Sequence, residues 1–525
     1  MALAIPSQFN LTEHFLDAPA RRHPQRIAIL GEPAEVRYAE LSEMAARVAG
    51  ALRAQGCQPG DRVLIVLPDS AEFIAAFFGA AKIGAVAVPV NSATRRADYT
   101  YYLQDSGARV AIVHVSALPE FLAAAESAGL ELLVRVGEGA EGQRGVPVPG
   151  SVAWEEWQRA AQPIEQAHAT AAADTAFFLY TSGSGGTPKG AVHQHKDMLV
   201  TATSFAHGVL GLREDDITFS VSKLFFAYGL GNGMYFPFSV GARTVLNPER
   251  PRPDRVAALI GKHRPTVFFS VPTFYGALLR EAERGMQIDF SSVRLAVSAG
   301  EKLPAEIFEQ FRRRTGLAIL DGIGSTEMLH MFISSRPGAA RAGSCGVEVP
   351  NYEARIVDEA GEPVDTAEIG NLWVKGASAF AGYWNKPELT AHAQRGDWVV
   401  TGDKFFRDPD GYYHYCGRAD DMLKVSGMWV APGEVENALL GHPSVAEAAL
   451  VGAADSNGLT RMVGYVVLRA GVAAGAPVTL EIQEYLRERL PAYKCPQRIE
   501  FLAELPKTAT GKIQRFVLRE RAAES

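Results

Sequence analysis

The sequence predicts an α/β protein: a large N-terminal domain of layered α/β subdomains plus a β-rich subdomain, and a small α+β C-terminal domain. Three observations carry this. Over the earlier part of the chain, segments of helical period alternate with short apolar runs of strand length, the pattern of a parallel sheet covered by helices. From Ala354 onward the pattern shifts to short strands with turn signals, as in Glu353-Ala354-Arg355-Ile356-Val357 followed by Asp358-Glu359-Ala360-Gly361. The charged stretch Gly417-Arg418-Ala419-Asp420-Asp421 then separates a final piece with its own helices and strands, which sets the domains at residues 1–419 and 420–525 with the boundary at Asp420.

Taken in order, Leu41, Met44, Ala45, Val48, Ala49 and Leu52 mark one helix face, and Gly56 stops that helix. Residues 62–67 read as a buried strand, and the apolar runs at 85–90, 110–115, 244–246 and 266–271 repeat the theme. The most apolar span, 73–90, is interrupted by Lys82 and ends against Pro89. Its uncharged part is far shorter than the ~20 residues a membrane helix needs, so it reads as a core helix followed by a strand. Arg312-Arg313-Arg314 reads as a solvated helix face, and residues 137–150 as an exposed Gly- and Pro-rich loop.

At 525 residues the chain can bury a large core. A net charge of -7 with no long basic run argues against nucleic acid as a partner. Cys57, Cys345, Cys416 and Cys495 are widely spaced with no CxxC pair, which indicates neither a disulfide framework nor a zinc site. That cysteine spacing fits a reducing cytoplasm; the N-terminus lacks a charged region followed by a sustained apolar one, so no signal peptide is expected, and no membrane partner.

The densest signal is Tyr180-Thr181-Ser182-Gly183-Ser184-Gly185-Gly186-Thr187-Pro188-Lys189-Gly190. Its lead-in, Ala176-Phe177-Phe178-Leu179-Tyr180, reads as a buried strand, so the glycine run leaves a strand end, where open α/β sheets bind ligands. Backbone N–H groups in such a turn form an anion-binding concavity that glycine's positive φ angles close. The Walker pattern fails because Pro188 precedes Lys189 and Gly190 stands where a Ser or Thr would ligate Mg²⁺. The dinucleotide pattern fails at Pro188 as well. Taken alone, the loop is equally an ordinary turn.

Five further segments decide it: Gly322-Ile323-Gly324-Ser325-Thr326-Glu327, Tyr383-Trp384-Asn385-Lys386-Pro387, Thr401-Gly402-Asp403, Gly417-Arg418-Ala419-Asp420-Asp421 with Lys424-Val425-Ser426-Gly427, and Pro506-Lys507-Thr508-Ala509-Thr510-Gly511-Lys512. In order and spacing the set resembles the signature motifs of the AMP-forming adenylate-forming enzymes, which include acyl- and aryl-CoA ligases, and the resemblance covers nearly the whole chain.

What the resemblance implies can be checked against what each residue type can do. Thr181, Ser182, Gly183, Ser184, Thr187 and Lys189 would hold the β- and γ-phosphates of ATP. Glu327 would contact the accompanying Mg²⁺, which takes carboxylate oxygen, with Thr326 beside it as a further catalytic residue. Gly300, Glu301, Asp321, Gly322 and Ile323 would surround the nucleotide; Asp403 would accept both ribose hydroxyls, and Arg418 would reinforce that edge. Lys512 would bring positive charge to the α-phosphate and the attacking carboxylate. In the family the C-terminal domain is mobile and rotates at the residue matching Asp420, which presents the segment of Lys424, Gly427 and Trp429 to coenzyme A, with Gly427 lining the thiol tunnel. Two residues depart from the pattern: Gly185 replaces a hydroxyl residue of the loop, and Ile323 stands where most members carry an aromatic residue against adenine.

By resemblance to the family's substrate-lining segments, the carboxylate pocket is expected from Phe226, Ala227, Tyr228 and Gly229, from Ala299, and from Gly324, His330 and Met331. Small residues beside flat walls suit a compact ring, and these segments contain no acid to pair a substrate amine. They look most like those of benzoate-CoA ligases, which implies an aryl carboxylic acid, ATP and coenzyme A as substrates. A substituted benzoate, a cycloaliphatic acid or aryl loading onto a carrier protein are the alternatives. His193 and His195 flank the loop without a third ligand and read as structural. Acetylation of Lys512 would remove its charge, so a lysine acetyltransferase joins the expected partners, along with a homodimer.

Overall fold

The apolar runs read from the sequence become the inner strands of two large sheets. The computed structural model describes residues 3–31, 34–126, 129–137, 150–182, 187–425, 428–430, 432–454, 460–507 and 513–524. Among these, one sheet has eight strands in the order Gly382–Tyr383, Pro188–Gln194, Thr175–Ser182, Val86–Pro89, Arg62–Val66, Val110–His114, Leu132–Val136 and Ser151–Ala153. From Thr175–Ser182 to Ser151–Ala153 the pairing is parallel, and residues 63–66 and 86–89 are buried throughout, as strands covered on both faces must be. Helix Ala71–Lys82 is the apolar span of the sequence; Ser70 caps it by accepting from the Phe73 N–H at 3.2 Å. Gly79 lets it lie against helix Tyr38–Ala54, since a Cβ there would come within 2.6 Å of Val48. Lys82, the charge that interrupts the span, is 1% exposed and meets Asp17 at 2.6 Å.

The pairing around the glycine loop differs from the expectation of a strand end in a parallel sheet. Thr175–Ser182 and Pro188–Gln194 form an antiparallel hairpin in which Thr181 lies opposite Lys189 and Ser182 opposite Pro188. The segment after the loop continues as strand, and Pro188, which has no N–H to give, occupies its first position, where the ladder tolerates it.

The second sheet has nine strands among the described residues, in the order Val347–Glu348, Met331–Ser334, Ile319–Gly324, Leu295–Ser298, Val267–Ser270, Ile217–Ser220, Arg243–Val245, Ile27–Leu30 and Val36–Arg37. Helix Ala305–Thr315 lies beside it with Arg312 and Arg313 paired to Glu309 and Glu306 at 2.9 and 3.2 Å on an exposed face. The β-rich part is an antiparallel set of Tyr352–Val357, Gly370–Gly376, Trp398–Arg407, Gln394–Arg395 and Tyr413–Arg418. Farther on, Val445–Ala454, Thr460–Leu468 and Arg498–Phe501 form a sheet. Leu423, Val430, Val435, Leu439, Leu450, Ile482 and Leu486 make a core of their own on one side of it, and Leu518 of helix Arg515–Glu524 joins a second cluster with Val451 and Val463. No helix among the described residues is long and apolar enough to cross a membrane.

Candidate active site

The two large sheets and the β-rich part bring the separated motifs together. On the hairpin, Lys189 places its ammonium 4.4 Å from the centre of the Tyr383 ring, a cation–π contact. The Tyr383 hydroxyl in turn donates to Glu327 Oε1 at 2.5 Å. Burial, and then the Glu327 carboxylate itself, raise the Tyr383 hydroxyl above its ordinary value, so the phenol keeps the proton it donates. Glu327 sits in the turn Thr326–Met328, capped by Ser325 Oγ accepting from the Met328 N–H at 3.3 Å. The turn is pinned to the hairpin by His193, whose Nε2 lies 2.8 Å from the Thr326 carbonyl while its Nδ1 lies 2.9 Å from Asp197. The Lys189 ammonium of the hairpin and the Glu327 carboxylate of this turn are thus brought together through Tyr383. Thr187 is exposed and Thr181 half-buried; Gly183 and Ser184 lie outside the described residues.

A second edge carries Asp403 and Arg418, which face each other across paired strands. Arg418 Nη1 donates to Asp403 Oδ1 at 3.1 Å and to the Thr401 carbonyl at 2.9 Å. Gly402 makes room: its φ is +74° and a Cβ would fall 2.8 Å from Arg418 Nη2. On strand Ile319–Gly324, Gly322 carries the Met331 methyl so close that a Cβ would come within 2.2 Å of it. Asp321 is buried, its Oδ1 has no hydrogen-bond partner among the described residues, and burial pushes its carboxyl well above the ordinary range. Glu301 is anchored instead, accepting from the hydroxyl and the N–H of Thr273.

Of the residues expected at the carboxylate pocket, His330 sits in an aromatic cluster. Its ring lies 5.4 Å from Tyr228, 4.5 Å from Phe236 and 5.1 Å from Phe205, and its Nε2 lies 3.2 Å from Asn232 Oδ1. Phe226 stands at the N-cap of helix Ala227–Leu230, Gly229 is buried where a Cβ would strike the Lys223 carbonyl at 2.0 Å, and Ala299 and Met331 are buried. Burial lowers His330 to about 3, which keeps it neutral. Its NMR signals are therefore expected to stay flat between about pH 5 and 8, where an ordinary histidine titrates; a midpoint inside that window would contradict the buried, uncharged ring.

In the C-terminal part, Lys424 lies opposite Trp429 in the pair Leu423–Val425 and Met428–Val430, and Asp420 lies in the turn Ala419–Asp421. Gly427 and Lys512 fall outside the described residues.

Residues 16–384 match the model for AMP-binding enzymes, and residues 434–512 match that for the AMP-binding enzyme C-terminal domain. The chain belongs to the AMP-binding enzyme family. It is 42% identical to a benzoate-CoA ligase of Thauera aromatica over 99% of its own length and 97% of that protein. It is 39% identical to a 4-hydroxybenzoate-CoA/benzoate-CoA ligase of Rhodopseudomonas palustris over 98% and 94%. Among solved structures, a benzoate CoA ligase from Burkholderia xenovorans superposes with a TM-score of 0.89 at 41% identity, covering 97% of this chain and 100% of that one. An anthranilate CoA ligase in complex with anthranoyl-AMP superposes with a TM-score of 0.94 at 40% identity, covering 99% and 98%.

Two side chains of this AMP-binding enzyme stand at the site without having been singled out in the sequence. Tyr383 links Lys189 to Glu327 and could have been suspected from its place in a quoted motif. Asp69 gives no such signal. Its Oδ1 accepts from the Leu224 N–H at 2.9 Å and its Oδ2 lies 3.5 Å from the Lys223 ammonium, which also donates to the Asn247 and Glu249 carbonyls. This clamp holds the segment leading into Phe226 and Tyr228, and its members are too far apart in sequence for any local pattern to join them.

Proposed function

We propose that the chain is an AMP-forming benzoate-CoA ligase, converting benzoate, ATP and CoA to benzoyl-CoA, AMP and diphosphate. The observation that carries this reading is the packing of Tyr228 against the neutral His330 ring, next to the strand of Asp321 and Gly322. Flat, uncharged walls of this kind suit a flat apolar carboxylic acid.

In the first half-reaction a benzoate oxygen attacks the α-phosphorus of ATP, the bond to the bridging oxygen of the β-phosphate breaks, and diphosphate leaves. Thr181, Ser182, Thr187 and Lys189 hold the leaving phosphates, Asp403 accepts from the ribose hydroxyls, and Arg418 fixes the Asp403 carboxylate. The donor chemistry suits a hard cation: Tyr383 engages only one Glu327 oxygen, and a single carboxylate plus phosphate oxygens is a common Mg²⁺ environment. Bound there, Mg²⁺ would neutralise phosphate charge. Asp321, whose Oδ1 has no hydrogen-bond partner among the described residues, would meet the nucleotide together with Ile323. In the second half-reaction the thiol of CoA attacks the acyl carbon and AMP departs. For this we assign residues 1–419 and 420–525 as separate domains hinged at Asp420, with Lys512 serving adenylation and the segment of Lys424, Gly427 and Trp429 serving the thiol. A cytoplasmic setting supplies all three substrates.

Nδ1 of His330 and Nδ2 of Asn232, which have no hydrogen-bond partner among the described residues, favour one second reading, in which a hydroxy- or aminobenzoate is also accepted. A panel of carboxylic acids assayed for CoA-dependent AMP release is expected to give benzoate the highest kcat/KM, with aliphatic acids lower by roughly two orders of magnitude. An aliphatic or amino acid at the head of the panel would overturn the assignment.

A further inference from the structure

The phosphate-binding hairpin is held from outside by a helix that none of the motifs includes. Helix Arg96–Ser106 carries Asp105, whose side chain is 8% exposed. Two donors converge on this carboxylate: the Tyr180 hydroxyl at 2.8 Å and the Lys386 ammonium at 2.9 Å. The Asp105 backbone carbonyl accepts from Trp384 Nε1 at 3.0 Å. One turn earlier, Tyr101 donates its hydroxyl to the Pro188 carbonyl at 2.6 Å; a phenol has one proton, so its 3.2 Å approach to Asp105 is secondary.

Tyr180 and Pro188 are the two stems of the hairpin. The helix therefore grips the strand entering the loop through Asp105 and the strand leaving it through Tyr101. Trp384 and Lys386 follow Tyr383 on one segment, and the Trp384 backbone N–H donates to the Gly190 carbonyl at 2.8 Å, tying that segment to the return strand. Tyr383 in turn sits between Lys189 and Glu327. One carboxylate thus fixes three things at once: the incoming stem, the segment bearing Tyr383, and through these the separation of the Lys189 ammonium from the Glu327 carboxylate. We propose that Asp105 is a positioning residue for the MgATP phosphates, acting through Tyr180 and Lys386 without touching the nucleotide.

The chemistry requires an anion at this point. Hydroxyl and ammonium both donate, and only an acceptor-only group satisfies both. An amide of the same shape would turn an N–H₂ toward one of them. The Asp105 carboxylate also raises the Lys386 ammonium above its ordinary value, as expected for a committed pair.

The proposal rests on reading the hairpin as phosphate-binding, and the test separates the two. Full-length enzyme is assayed for ATP–diphosphate exchange with benzoate, and separately for thioester formation from preformed benzoyl-AMP and CoA. Asp105→Asn is expected to raise the KM for MgATP by roughly tenfold, while the KM for benzoate and the rate from benzoyl-AMP stay within about twofold. Tyr180→Phe, which removes only the hydroxyl, is expected to shift the KM for MgATP in the same direction by a smaller factor, and Lys386→Arg to retain most of the wild-type value. Equal losses in both half-reactions, or an unchanged KM for MgATP, would overturn the positioning role. Should Asp105→Asn fail to fold, an unchanged KM for MgATP in Tyr180→Phe overturns it alone. Wild-type enzyme with no exchange activity would instead overturn the phosphate reading itself, and the proposal with it.

Discussion

Lys512→Ala is expected to lower ATP–diphosphate exchange with benzoate by roughly 10²–10³-fold, the scale on which one preorganised donor stabilises a developing charge. Thioester formation from preformed benzoyl-AMP is expected to stay near the wild-type rate. The asymmetry follows from where charge develops. When a carboxylate attacks a phosphate, two anions approach and the equatorial oxygens gain charge, so a cation is needed at that moment. In the thiol step the phosphoryl bond is already made. On either side of residues 508–512, Lys507 and Ile513 form a β-bridge, the Gln514 N–H donates to the Pro506 carbonyl at 2.9 Å, and Lys507 pairs with Glu447 at 2.7 Å. Both flanks of the segment holding Lys512 are therefore tied to the C-terminal sheet or to each other, and movement of that sheet would carry them with it. Acetylation would remove the same charge and is expected to match the Ala variant in both assays. Parallel rate constants for the two half-reactions, from rapid-quench measurement, would contradict the assigned role.

Much of the fold was legible because buried parallel strands advertise themselves. Residues 62–67 and 110–115 are almost uninterrupted aliphatic runs, and they became strands Arg62–Val66 and Val110–His114 within a residue of the expected limits. The hairpin around the glycine loop was less legible: periodicity gives the existence of a strand but not its direction, and antiparallel pairing of 175–182 with 188–194 depends on a turn whose glycines suit several geometries. At the site, ordered motifs indicated Glu327, Asp403 and Arg418, and the last two proved to be cross-strand partners. Asp69 and Asp105 were invisible for a common reason. Each is a lone acid with no neighbouring chemistry in sequence, and acquires its meaning only when folding delivers a lysine and a hydrogen-bond donor to its two oxygens.

The same physics gives the largest expected change in stability, at the charge that interrupts the most apolar helix. Lys82 and Asp17 are 1% and 4% exposed, and Asp17 also accepts from Ser42 Oγ at 2.8 Å, so the pair joins helix Ala71–Lys82 to helix Tyr38–Ala54. Asp17→Ala would leave an ammonium in the core without its carboxylate, at a cost of about 3–5 kcal/mol. Replacing both, Asp17→Leu with Lys82→Met, removes the desolvation penalty along with the attraction and is expected to recover most of that loss. The first unfolding transition in urea checks this: a large drop in midpoint for the single variant and a small one for the double. Helix Ala71–Lys82 leads into strand Val86–Pro89, which pairs with the strand that enters the phosphate hairpin. The hairpin is nonetheless gripped from its other side by Asp105 and Tyr101, so the folded double variant is expected to keep the wild-type KM for MgATP. A double variant as unstable as the single would show that the site needs its charges for packing rather than for mutual neutralisation.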